Sequence, residues 1–164
     1  MSYIDTSAIV AALDPSDPRM SEARRLLDRA EARIVSELVV AELASVISRR
    51  TGALDRVARV LGKPEPVAVA VAVLYILKRF KLKQVSVKGR IRLPYGEYYK
   101  PLAYTVTLAG KLKLKTLDLL HLSYIKAMKQ QGVKVNTLLT ADEDFARSKR
   151  EIQDIIGVKV QPVT

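Results

Sequence analysis

Residues 133–148 read VKVNTLLTADEDFARS. The first half is rich in β-branched and aliphatic residues, follows Gly132, and predicts a short buried strand. The second half places Asp142, Glu143 and Asp144 at the strand's C-terminal end. In open parallel α/β sheets that edge is where ligands bind. Thr140 and Glu143 also fit a T-x-x-E capping box opening a helix. Capping accounts for Glu143 and leaves Asp142 and Asp144 without a local reason.

Outward from that stretch the pattern repeats. Ser2 to Ile4 predicts a strand ending at Asp5, with Thr6 or Ser7 as cap of a helix through AIVAAL. Asp17 and Pro18 carry the signals of N-cap and first helical position for RMSEARRLLDRA. ARIVS predicts a strand, and Ser36 caps a helix ELVVAELASVISRR that ends at Gly52. A short helix follows, about 54–61. The apolar run from Pro66 to Phe80 is read as a buried helix despite its Val/Ala alternation. Val85 to Val87 would be a strand, KGRIRLPYGEYYK a loop or small hairpin, and 102–112 a helix. A helix over 117–131, capped by Thr116, comes next. Ser148 and Glu151 form a second capping box, and VKVQPV closes the chain as an edge strand. Strands alternating with helices imply a mainly parallel sheet with helices on both faces.

Composition narrows the chemistry. The chain has 164 residues, enough for one domain spanning 1–164. It contains no cysteine, which excludes disulfides, thiolate metal sites and cysteine nucleophiles. The segment MSYIDTS shows no signal-peptide pattern, so a cytoplasmic protein is expected. The longest apolar run is too short to span a bilayer, which takes about 20 residues, so no membrane partner is expected. The net charge is +11, and eleven cations between Lys78 and Lys115 face Glu97 alone, so that segment carries +10 of it. A local basic patch of this kind points to nucleic acid. Lys88, Arg90, Arg92, Lys111, Lys113 and Lys115 are its candidate contacts, within a basic insertion at about 81–115. Tyr95, Tyr98, Tyr99 and Tyr104 crowd the same stretch and offer rings for stacking on single-stranded bases or for packing.

Two more acids stand out by their faces. Glu42 lies beside the stripe of Val39, Leu43 and Val46, and Asp118 sits in the first turn of a helix that is apolar almost all round. Buried carboxylates in a cluster take up protons or are held ionised by a cation. With one histidine and no cysteine, oxygen ligation of Mg²⁺ or Mn²⁺ is the match, and such ions hydrolyse phosphodiesters. His121, one turn after Asp118, could line the same cleft, but a lone histidine on an apolar helix is read first as a hydrogen-bonded core residue.

These residues resemble the PIN domain family, in particular its VapC-type toxin ribonucleases. IDTSAIVAAL resembles the family's opening strand and aspartate, VSELVVAELASVI its helix with the central glutamate, LKTLDLLHLS its third acidic position, and LLTADEDF its last. The resemblance implies a three-layer α/β/α sandwich in which Asp5, Glu42, Asp118 and Asp142 are catalytic metal ligands, with Asp144 as an additional acid. Thr6, Ser7 and Thr140 match hydroxyl positions that support the site. It further implies metal-dependent cleavage of RNA, a homodimer, and an antitoxin protein covering the cleft. The basic insertion before Asp118 departs from compact toxins and leaves open an RNA-processing or quality-control nuclease. A haloacid dehalogenase phosphatase is disfavoured by Ser7, where that class has a second aspartate. A non-catalytic RNA-binding module is disfavoured by the four acids, which weaken binding of a polyanion.

Overall fold

The computed structural model describes the backbone of residues 1–164 and the side chains of all but residues 51–54 and 57. In chain order the elements are β1 (Ser2–Ile4), α1 (Thr6–Leu13), α2 (Met20–Arg29), β2 (Arg33–Val35), α3 (Glu37–Ser48), α4 (Thr51–Leu61), α5 (Glu65–Arg79) and β3 (Leu82–Gln84). They continue as β4 (Arg90–Leu93), β5 (Gly96–Tyr99), α6 (Lys100–Ala109), α7 (Thr116–Gln130), β6 (Thr137–Thr140), α8 (Glu143–Arg147), α9 (Lys149–Ile156) and β7 (Lys159–Pro162). Five strands form one parallel sheet in the order β3-β2-β1-β6-β7, flanked by helices, and β4 with β5 forms a separate antiparallel hairpin. This is the α/β/α sandwich expected from the strand and helix alternation.

The central strands are apolar on both faces, as a parallel sheet covered by helices requires. Tyr3, Ile4, Ile34, Val35, Leu138 and Leu139 are all buried, and Ile9, Leu27, Leu122, Ile125 and Met128 from the helices close over them. The winding fixes where a site can form. From β1 the chain builds towards β2 and β3 on one side, while β6 and β7 lie on the other, so the order reverses between β1 and β6. A crevice opens at such a reversal, beyond the carboxyl ends of the strands. Asp5 follows β1 and Asp142 follows β6, at the two lips of that crevice.

Several local expectations are corrected. Asp17 does not cap a helix: its carboxylate accepts from the backbone and guanidinium of Arg19 at 2.8 and 3.0 Å, closing a turn, and α2 begins at Met20. Thr116 is the first residue of α7, with Lys115 at the cap position. Ser148 stands at the cap position of α9, but its side chain makes no capping bond. α3 stops at Ser48, and residue 52 falls within α4, which ends on Gly62 in the left-handed conformation that its missing Cβ permits. The third strand is Leu82–Gln84 rather than 85–87. Only Leu82 points inward there, because an edge strand leaves Lys83 and Gln84 in solvent. α6 runs from Lys100 to Ala109, earlier than expected, since Pro101 suits a first turn. The Val/Ala segment is helical, as α5, and the Lys88–Lys100 stretch contains the hairpin.

Candidate metal centre

Four elements deliver acids to the crevice. β1 hydrogen-bonds β6 along Ser2–Ile4, and the amide of Asp5 donates to the carbonyl of Leu139 at 3.0 Å, which fixes Asp5 at the sheet edge. Asp5 stands at the N-cap position of α1, yet its carboxylate caps nothing. Its Oδ2 instead accepts from the hydroxyls of Ser7 and, at 2.7 Å, Thr140. Ser7 Oγ also receives the Ala141 amide at 2.9 Å, and Thr140 Oγ1 the Asp142 amide at 3.0 Å. The Ser7 and Thr140 hydroxyls thus tie the first aspartate to the loop carrying the last ones.

Glu42 is placed by α3, whose start is fixed by the buried Ser36 accepting from the Val39 amide at 3.4 Å. Thr6 Oγ1 donates to Glu42 Oε2. Burial pushes the Glu42 carboxyl up, but hydrogen bonds and charge from His121, with Thr6, outweigh it and hold the group below its usual range.

His121 is the residue for which sequence reasoning preferred a core role over a place in this cluster. It is buried and hydrogen-bonded as read, but its Nε2 stands 3.0 Å from Glu42 Oε2 and 3.3 Å from Asp5 Oδ1. Its Nδ1 is 2.9 Å from the Tyr3 hydroxyl, which in turn is 2.7 Å from Ser36 Oγ. Burial opposes a charge on the ring, yet the Glu42 hydrogen bond and the fields of Asp5, Glu42 and Asp118 raise its pKa. Among the described residues, Asp5, Glu42 and His121 are the one group whose ligand atoms all lie within 4.8 Å of each other. The available signal was spacing: His121 is three residues after Asp118, on the same side of α7.

Asp118 is 8% exposed, and its Oδ2 is buried without any hydrogen-bond partner. Burial, then the neighbouring charges of Asp142, Asp144 and Asp5, push its carboxyl up to about 6. Leaving a carboxylate oxygen desolvated and unpaired is costly unless a cation completes it. The donor set of carboxylate oxygens with one imidazole nitrogen therefore suits a divalent ion.

Asp142 is not next to a Thr140 cap; it is the cap itself. Its Oδ1 accepts from the Asp144 amide at 2.7 Å, opening α8, while Thr140 ends β6 with its hydroxyl on Asp5. Asp144 is held by Lys115 at 2.8 Å and Arg147 at 2.6 Å, and the Lys115 hydrogen bond keeps it below its usual range. Arg19 donates to the Ala141 carbonyl at 2.7 Å, bracing the loop from the other side.

Lys115 joins this centre to the basic segment. Residues 111–115 read KLKLK between α6 and α7; Leu112 and Leu114 pack inward while Lys111, Lys113 and Lys115 are exposed. Three cations thus line one side of an extended loop that enters α7 three residues before Asp118. Lys88, Arg90 and Arg92 lie elsewhere, before and on β4, all exposed, with Arg90 Nε 3.2 Å from Glu97 Oε2. Among the described residues no helix is long and apolar enough to cross a membrane.

Comparison with known proteins agrees with this architecture. The VapC20 toxin of Mycobacterium tuberculosis, described as cleaving the sarcin-ricin loop, superposes with a TM-score of 0.59 at 18% identity, covering 90% of this chain and 95% of that one. VapBC2 from Rickettsia felis, solved with a DNA fragment from its promoter, gives 0.58 at 19% identity, with all of both chains covered. FitAcB from Neisseria gonorrhoeae gives 0.55 at 15% identity, over 98% of this chain and 96% of that one. At these identities the likeness is one of fold. A search of curated proteins gives no match. The PIN domain family matches residues 2–151, from the first strand through all the acids, and the chain belongs to that family.

Proposed function

We propose that this protein is a metal-dependent endoribonuclease that hydrolyses RNA phosphodiester bonds, and that it serves as the toxin of a toxin–antitoxin pair. The observation that carries the reading is the buried, unpartnered Oδ2 of Asp118, close enough to Asp142, Asp144 and Asp5 for their charges to act on it. Likeness of fold to the VapC20 toxin and to VapBC2 supports the biological setting.

Asp5, Glu42, Asp118 and Asp142 would hold Mg²⁺ or Mn²⁺, with Asp144 as a further acid and His121 beside them. The chemistry such an ion supplies is electrophilic: it polarises the phosphodiester and offsets the charge that grows on it during attack by water. The chain's own residues do the positioning. Thr140 and Ser7 fix the rotamer of Asp5, Thr6 and His121 fix Glu42, and the Ser36–Tyr3–His121 chain locks the imidazole. Lys111, Lys113 and Lys115 hold RNA phosphates at the lip, and Lys115 offsets the negative field of Asp144, Asp118 and Asp142 on an incoming polyanion. Lys88, Arg90 and Arg92 extend the contact along the insertion. The expected partners are RNA, an antitoxin that covers the crevice, and a second copy of the chain, all in the cytoplasm.

The test is incubation of the purified protein with a panel of structured and single-stranded RNAs, in Mn²⁺ or Mg²⁺ and in chelator. Discrete internal cleavage products that appear only with metal are expected. Tight, salt-dependent binding without cleavage under any condition would instead favour a binding module.

A further inference from the structure

The structure separates the four tyrosines of the basic insertion into two kinds. Tyr99 donates its hydroxyl to the Val87 carbonyl at 2.8 Å and packs edge-on against Tyr124 at 6.3 Å. Tyr104 bonds Gln130 and lies under the Lys126 ammonium at 4.9 Å. Both are structural. Tyr95, in the turn between β4 and β5, is 59% exposed, and Tyr98 on β5 meets it edge-on at 5.7 Å. Among the described residues neither of these hydroxyls has a protein partner.

Tyr98 is half-buried, and the hairpin register sets the face its ring takes. Ile91 pairs with Tyr98 and Leu93 with Gly96 on one face, while Arg90 pairs with Tyr99 and Arg92 with Glu97 on the other. Gly96 has φ +143°, a backbone conformation that favours glycine, and the Tyr98 ring lies beside it. None of Ile91, Leu93, Tyr95 and Tyr98 packs into the main core. Arg90 and Arg92 are exposed on the opposite face of this two-stranded ribbon, with Arg90 3.2 Å from Glu97. The hairpin also follows β3, which is parallel to β2 and therefore leaves the sheet at the edge where the acids gather.

We propose that Tyr95 and Tyr98 form a stacking platform for unpaired nucleobases, with Lys88, Arg90 and Arg92 taking the adjoining phosphates, so that this nuclease selects single-stranded RNA or loops over duplex. The inference rests on the proposal that the chain acts on RNA. Charge favours RNA as the occupant: the surrounding segment carries +10. Area favours it as well. Two rings offer a few hundred Å² at most, short of the roughly 800 Å² per partner of a stable protein interface, but each matches one base. Bases already stacked and paired in a duplex cannot reach the rings.

The test measures binding, not cleavage. Fluorescence anisotropy in chelator compares a labelled single-stranded RNA of about a dozen nucleotides with a duplex of the same sequence, for wild type, the double variant Tyr95→Ala/Tyr98→Ala, and Tyr95→Phe/Tyr98→Phe as a ring-preserving control. The alanine variant should bind single strand about tenfold or more weakly and duplex nearly unchanged, with the phenylalanine variant close to wild type. The slope of log affinity against log salt should not change, because stacking releases no counterions. Equal loss on duplex and single strand, unchanged single-strand affinity, or a wild type that binds no RNA would each overturn the platform. A change of oligomeric state in light scattering with RNA binding intact would overturn it in favour of a protein contact. Failure of metal-dependent cleavage alongside the expected binding pattern would remove the nuclease reading and leave the platform standing.

Discussion

Asp118 concentrates the conflict that defines this centre at the scale of one residue. In the metal-free protein its pKa is raised from 3.8 to about 6 by burial and by acidic neighbours. The native state therefore binds more protons than the unfolded state between those values, and stability falls as pH rises through them. A shift of that size corresponds to on the order of 2–3 kcal/mol above pH 7. Asp118→Asn should thus raise the Tm of chelator-treated protein at pH 8 by several degrees, with little gain at pH 4. Differential scanning calorimetry at the two pH values checks this; an equal gain at both would show that charge burial is not the cause. Tyr3→Phe makes a second test. It deletes the buried hydroxyl joining Ser36 to His121 and should cost about 1–2 kcal/mol in denaturant unfolding. Glu42 and Asp118 stand out in the sequence as acids on apolar faces, and Asp5 as the residue that ends a predicted strand. The spacing from Asp118 put His121 near the cleft, but its pairing with Glu42 and Asp5 depends on groups brought from the far end of the chain, which the order of residues does not show.

At the scale of the element, the KLKLK loop is the clearest device. Its leucines anchor it to the core and its lysines project, next to Asp118. Replacing Lys111, Lys113 and Lys115 by Gln should weaken single-stranded RNA binding and lower the salt slope by about 2, near 0.7 for each phosphate no longer neutralised. Filter binding across a salt series reads both; unchanged affinity and slope would move the RNA path away from this loop. The same scale shows why some elements were readable and others not. Ser36 capped its helix as expected, since serine before an apolar 3.6-residue pattern has few other uses. Thr140 and Asp142 both suit a cap, and only the register of β6 against β1, which turns the Thr140 hydroxyl onto Asp5, decides between them. Leu82–Gln84 lacked strand signals because an edge strand needs only one inward residue, whereas Val85 adds one hydrogen bond to Val35 beyond the ladder and the strand ends there.

For the whole molecule, the parallel sheet and its order reversal convert distant sequence positions into one crevice. Alternation of strands and helices made that architecture legible; the side on which each strand is added, and so the place of the hairpin, depends on packing that no local pattern encodes. A ligand that binds only the folded crevice must stabilise the whole fold, by roughly 2.7 kcal/mol at a hundredfold excess over Kd. Mn²⁺ should accordingly raise the Tm of the wild type by several degrees and leave Asp5→Asn unmoved. The most direct test of the central claim is the single-turnover rate of RNA cleavage in Mn²⁺ for wild type and for Asp118→Asn, with circular dichroism confirming that both are folded. The account predicts a loss of at least about a hundredfold in the variant, on the order of 3 kcal/mol of transition-state stabilisation; a folded Asp118→Asn protein that cuts at the wild-type rate would contradict it.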